Sequence, residues 1–438
     1  MRILRRCLAA ALGALTLATP VPALAAPSSP SVSPEAVLNG SAASGLTGWS
    51  AVGEAGAVRV TRLTGLKGAP ASTGVQLSRP AASGRWAYAL VKLQSPTSSF
   101  TAGRTYRMSA WLRDTAGAGR RYGILLGNGA QQSRPAPVAE YVSPTGSGWR
   151  LITRTFVATA AGSADTAFYL GLPAGSAFTA QVTGVSVRPV TVREPARVTG
   201  DPARVIGFGD PAVWNHDLGA GGWGNGEVQT YTAGNDRVDD AGRLEITVRR
   251  AADGTLTSGR LTTDGRLAVP SGSYVESSIT APVGAGVWPA FWMMGVSKRT
   301  VGWPACGELD VFEGTGAQPT LARTSAHMPS AGNAAVDMPY GWGEGGATVD
   351  LGVSLDAAPH RYGVYFDADV VRFYVDRRPT MTLWASDAVA SGRRWPFAQS
   401  QFLIVNVAVA GGVDTSATAF PKTMTVEPIA VWKGGVPF

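Results

Sequence analysis

Cysteine is nearly absent from this 438-residue chain, which holds only Cys7 and Cys306. A disulfide framework is therefore excluded, and stability has to come from a packed core. Histidine is as scarce: His216, His327 and His360 are the three, and their spacing does not suit zinc. No G-x-S-x-G elbow of a serine hydrolase occurs. No Lys/Arg cluster interleaved with aromatics accompanies the net charge of +8, so a solvated basic surface is expected and nucleic-acid binding is not. No long helical period is present either. The 55 glycines and 29 prolines favour short strands and many turns. "GAGGWG" at 219–224 fits G-x-G-x-x-G, but no apolar strand precedes it and no helical pattern follows. It reads as a Gly-rich turn and not as a dinucleotide loop.

The one long apolar stretch lies at the start. "MRILRR" is a positive n-region, "CLAAALGALTLA" is too short to span a bilayer, and Ala23 and Ala25 stand in A-x-A spacing. Residues 1–25 are expected to be a secretory signal peptide, so the protein is expected to be secreted and extracellular, with no membrane span. The mature chain then keeps one thiol, Cys306, read as an inert packed group.

Residues 26–36, rich in Pro and Ser, read as a flexible leader. Residues 37–190 are β-rich: "RTYRMSAWLR" alternates Tyr106, Met108, Ala110 and Leu112 against Arg107, Ser109, Trp111 and Arg113. Residues 191–204, in the proline-bearing run that begins at Arg188, are the expected linker. Residues 205–438 again read as many short strands. The fold class is all-β: a β-jelly-roll sandwich catalytic domain preceded by a smaller β-sandwich domain.

Chemistry concentrates in "GELDVFEG", residues 307–314. In a strand Glu308 and Asp310 share a face, whereas Glu313 would point away. One β-bulge among 311–313 brings it back, with Leu309 and one or both of Val311 and Phe312 turned to a core. Two carboxylates about 5–5.5 Å apart are what a retaining glycosidase needs. Trp288 and Trp292 in "GVWPAFWMMG" and Trp303 in "GWPACGE" are faces on which sugar rings can stack. Pro289 suggests an edge or irregular strand there.

"WPAFWMMG" followed by "WPACGELDVFEG" resembles glycoside hydrolase family 16, on its laminarinase (endo-β-1,3-glucanase) branch. Further matches are "GGWGNGEVQTYT", "TSGRLTT", "SAHM", "VVRFYVD" and "FLIVNVAVAGG", in family order over nearly all of 205–438. The resemblance implies a jelly roll with a cleft across one sheet. It implies Glu308 as nucleophile, Glu313 as acid/base and Asp310 as the assisting acid. It places Asn225, Glu227, Arg260, Trp288, Trp292, Trp303 and His327 along the cleft. A β-glucan polysaccharide is the implied partner, for a monomer without a required cofactor. A structural calcium ion is allowed, with Glu427 in place of an Asp often involved. Val413, Phe366 and Gly226 depart from the family pattern, where Trp, Trp and Asn are usual. Residues 37–190 resemble carbohydrate-binding modules of the CBM4/9 type, with Trp86, Tyr88 and Trp111 as candidate binding aromatics. The alternatives are a same-family hydrolase of mixed-linkage β-glucan or a galactan, and a glucan-binding protein with little catalysis. Relatives of the last kind usually lack the acids, and all three are present here.

Overall fold

The computed structural model describes residues 177–339 and 348–438 continuously. Before them it describes residue 37 and the stretches 39–52, 59–79, 89–93, 99–101, 103–115, 122–126, 138–142, 148–157, 162–163 and 166–170. The signal-peptide and leader segments, 1–36, lie outside the described residues, as do Trp86 and Tyr88.

Nearly all regular structure is strand. The N-terminal region forms a pair of antiparallel five-stranded sheets. One runs Trp49–Val52, Ala89–Leu93, Thr166–Leu170, Tyr122–Leu126, Val138–Val142; the other runs Arg59–Thr64, Thr73–Arg79, Phe178–Pro189, Thr105–Asp114, Arg150–Val157. The alternation in Thr105–Asp114 is the alternation of burial: Tyr106, Met108, Ala110 and Leu112 enter a core with Val75, Leu77, Ile152 and Val182. Trp111 points to the opposite face and is half-buried.

The segment expected as a linker is laid against strands from the C-terminal half of the chain. Ala196–Arg197 pairs in parallel with Gly435–Val436. Val192 and Val198 pack on a cluster of Tyr274, Tyr365, Tyr374 and Trp432. Arg193 pairs with Asp369 at 2.8 Å, and Glu194 with Arg372. Asp387, in the short helix Ala385–Ala390, takes the Thr155 backbone N–H at 2.6 Å and the Arg107 guanidinium at 2.9 Å.

From residue 204 onward two sheets face each other. Seven strands make the sheet that carries the cleft, in the order Asn215–His216, Arg260–Thr262, Gln401–Val409, Val287–Gly295, Glu308–Gly314, Leu321–His327, Thr348–Asp350. The outer sheet has eleven strands, among them Leu244–Arg250, Ser273–Thr280, His360–Phe366 and Val370–Val375. Between the sheets lie Phe291, Leu309, Phe312 and Val405 from one side and Tyr362, Val364 and Phe373 from the other. The Phe312 and Tyr362 rings stand 4.2 Å apart. Each such side chain contributes roughly 1.5–3 kcal/mol by leaving water. Phe366, in place of a Trp, belongs to this core.

Val287–Gly295, which holds Pro289, is not an edge strand, being held by Gln401–Val409 on one side and the acidic strand on the other, but its pairing with the acidic strand is irregular, with a register shift between Phe291 and Trp292. Registered pairing with the acidic strand reaches only to Ala290. Pro289 therefore sits past the end of that ladder, beside Gly314, and keeps a registered partner only on the other side, in Val407.

Candidate active site

The acidic strand Glu308–Gly314 carries the expected bulge. Toward the Trp288 strand, Phe312 pairs with Phe291 and Asp310 with Trp292, so two residues advance against one. Toward Leu321–His327, Asp310 pairs with Ser325 and Glu313 with Arg323, three against two. The extra residue sends both Val311 and Phe312 into the core, each fully buried, and returns Glu313 to the face of Glu308 and Asp310.

Above that face lies a cleft of about 640 Å³. All ten residues singled out from the sequence line it: Asn225, Glu227, Arg260, Trp288, Trp292, Trp303, Glu308, Asp310, Glu313 and His327. Alternation on Val287–Gly295 gives Trp288 and Trp292 to the cleft and Phe291 and Met293 to the core. Trp303 is 49% exposed, and its ring lies 5.8 Å from that of His327.

Indole N–H groups fix two polar partners. Trp288 Nε1 donates to Glu313 Oε1 at 2.9 Å, and Trp292 Nε1 to Asn406 Oδ1 at 2.7 Å. Ser325 Oγ donates to Asp310 Oδ2. Glu227 is buried and accepts from Gln229 Nε2 at 2.6 Å and Tyr231 OH at 2.9 Å, so its carboxylate also braces the cleft floor. Arg260 is paired with Asp217 at 3.0 Å, and its guanidinium lies 4.7 Å from the Trp223 ring and 4.9 Å from that of Trp292.

The electrostatics come from burial and crowding. Burial, then the Asp310 charge, pushes Glu313 up to about 8, against the pull of the Trp288 N–H. The same two causes raise Glu308 well above the carboxylate range, opposed by the charge on His327. For His327 burial works downward. Its contacts with Asp310 and Asp337 outweigh that and hold the imidazole up at about 11. Both ring nitrogens are engaged: Nδ1 lies 2.7 Å from Asp337 and Nε2 3.4 Å from Asp310. Glu308 and Glu313 therefore hold their protons tightly beside the Asp310 charge and the His327 imidazolium. Cys306, buried below with Met294 and Phe402, is pushed up to about 11 by burial and by Glu308, which suits an inert thiol.

Sequence reasoning left out Asp217, Trp223, Lys298, Asp337 and Asn406 as site residues. Trp223 stands inside the Gly-rich turn set aside at 219–224, one residue before the Gly224-Asn225 pair, and that proximity was the available signal. The other histidines lie outside the cleft: His216 faces Asp236 at 2.9 Å, and His360, at a strand start, faces Asp376 at 2.8 Å. Among the described residues no cluster of three carboxylate, histidine or cysteine ligands includes Glu427.

A bulged strand of acids below a tryptophan-lined groove defines a carbohydrate-cleaving type of site. The family model for glycosyl hydrolases family 16 matches residues 225–427. A beta-glucanase from Rhodothermus marinus is 33% identical over 256 residues, covering 54% of this chain and 84% of the relative. A glucan endo-1,3-beta-glucosidase from Cryptopygus antarcticus is 32% identical over 214 residues, 45% of this chain and 75% of the relative. Among solved structures, the laminarinase catalytic domain from Thermotoga maritima is 33% identical, with a TM-score of 0.45, over 55% of this chain and 99% of that one. The chain belongs to glycosyl hydrolase family 16.

Proposed function

We propose that the protein is a secreted endo-β-1,3-glucanase that hydrolyses laminarin-type polysaccharides by double displacement with retention. The observation that carries this reading is the convergence of Glu308, Asp310 and Glu313 on one cleft face between Trp288, Trp292 and Trp303. Glu308 attacks the anomeric carbon as carboxylate while Glu313 gives its proton to the departing glycosidic oxygen. Glu313, now a base, takes a proton from water, and that water breaks the glycosyl ester to Glu308. A proton affinity near 8 keeps Glu313 loaded at neutral pH. Glu308 has to be ionised to attack, and the cation on His327 favours that form. Asp310, between them, tunes both.

Residues 1–25 are taken as the export signal. The N-terminal sandwich is proposed to bind glucan, with Trp111 the described aromatic to test.

Purified β-1,3-, mixed-linkage and β-1,4-glucans and a galactan test the reading, with products sized and the first-formed anomer read by NMR. β-1,3-glucan should be cut internally to oligosaccharides that appear as the β-anomer. Preference for another polymer overturns the substrate assignment, and a first-formed α-anomer overturns retention. Glu308→Gln should lower turnover by about three orders of magnitude or more while glucan binding survives. Near-normal turnover in that variant removes Glu308 from the nucleophile's role.

A further inference from the structure

His327 pairs across the ladder with Glu308, which fixes its backbone beside the acids. Its ring is fixed from elsewhere. After His327 the chain turns back on itself: Met338 N donates to Met328 O at 2.9 Å, and Ser330 N to Val336 O at 2.9 Å. That hairpin returns Asp337 to Nδ1 of His327 at 2.7 Å. The 392–394 segment clamps it, with Arg394 N donating to Pro329 O at 2.8 Å and Ala331 N to Gly392 O at 2.8 Å.

Asp337 Oδ2 takes the ring, while Oδ1 is buried without a hydrogen-bond partner among the described residues. A carboxylate serving only its own turn would spend its oxygens on nearby backbone N–H groups, and leaving one buried and unpaired costs roughly 1–3 kcal/mol. The side chain is thus placed for the imidazole at some expense to the hairpin. The groups facing that imidazole are Asp310 and Glu308 from the acidic strand, Asp337 from the hairpin and the Trp303 ring. Glu313 lies further along the same face.

We propose that Asp337 is a positioning residue for the hydrolytic reaction, holding His327 as an oriented imidazolium whose charge favours the ionised form of Glu308. The pair works as an aspartate–histidine couple does when a carboxylate fixes ring orientation and charge. Here the ring exchanges no proton with substrate, and the cation acts through the field it sets on the acids. This rests on the proposed roles of Glu308 and Glu313, but its first test needs no substrate.

The chain holds only three histidines, so each imidazole can be followed by nitrogen-detected NMR in the full-length protein. In Asp337→Asn the shape is kept and the charge removed. His327 should then titrate at least about one unit lower, while His216 and His360, each with its own carboxylate, stay where they are. On the substrate established for the wild type, kcat should fall about tenfold with KM within about twofold. Asp337→Glu should restore most of both. An unmoved His327 titration overturns the proposal. So does a moved titration with unchanged kcat, or a loss in kcat that Asp337→Glu does not relieve while the circular dichroism spectrum stays native. If the wild type cuts no β-1,3-glucan, the substrate reading fails, and the titration still decides whether Asp337 holds the charge on His327.

Discussion

A buried carboxyl beside a second carboxylate keeps its proton, and Glu313 is held at about 8 for that reason. The consequence for stability has a definite sign. Glu313 binds its proton more tightly in the folded chain than in the unfolded one, whose reference value is 4.5. Its contribution is therefore complete below about pH 4.5 and is lost as pH rises through about 8. Glu313→Gln removes that loss, so its Tm should exceed the wild type's most at pH 9 and match it near pH 4. Each kcal/mol corresponds to about 2–4 °C in a domain of this size. A Tm difference that stays constant from pH 4 to 9 would show that the charge on Glu313 is not a cost to the fold. The same residue should set the alkaline limb of kcat/KM near pH 8, checked by the pH–rate profile. At this scale the acids were legible because three carboxylates in six positions with apolar neighbours have few other uses. Asp337, Asn406 and Asp217 were not, because each joins the site only through side-chain contacts made in the fold: Asp337 to His327, Asn406 to Trp292 and Tyr231, and Asp217 to Arg260. Asp337 arrives only because a hairpin turns back on His327.

Strands position these residues, and strand logic was mostly readable. Alternation placed Trp288 and Trp292 on one face. The bulge was required as soon as Glu313 had to join Glu308, since a regular strand would bury it on the wrong side. Hidden from the sequence was how closely two loops meet over one end of the cleft. A Cβ on Gly411 would lie 2.1 Å from the carbonyl oxygen of Gly226, so the 410–412 turn touches the loop carrying Asn225 and Glu227. Gly226 itself has φ +70°, a left-handed conformation that Gly adopts without strain and that Asn also tolerates. Gly411→Ala should push that loop off its seat. KM should rise several-fold with kcat changed less, and stability should fall by about 1–3 kcal/mol. Unchanged KM with lowered stability would mean that the loop holds the fold and not the sugar.

For the whole molecule, the open question is where the hydrolytic unit begins. Composition placed a linker at 191–204, and three prolines between Arg188 and Arg204 suggested a free tether. Its few apolar side chains gave no hint of docking, because the surface that receives them comes from strands that begin only at Ser273 and beyond. The segment nevertheless supplies a parallel strand at Ala196–Arg197, seats Val192 and Val198 on aromatic residues of the outer sheet, and pairs Arg193 and Glu194 with Asp369 and Arg372. Two chains test its contribution to the fold, one beginning at Val190 and one at Val205. The longer should melt about 5 °C higher or more, since the shorter loses apolar burial and a strand from the C-terminal edge. Both lack the N-terminal sandwich, so both should cut short soluble oligosaccharides. If that sandwich binds glucan, both should lose activity on insoluble β-1,3-glucan relative to the full chain, through lost proximity to the surface. Equal melting temperatures would make 191–204 a passive connector. Full activity of the Val190 chain on the insoluble polymer would leave the sandwich a structural neighbour, with its Arg107–Asp387 contact as its role.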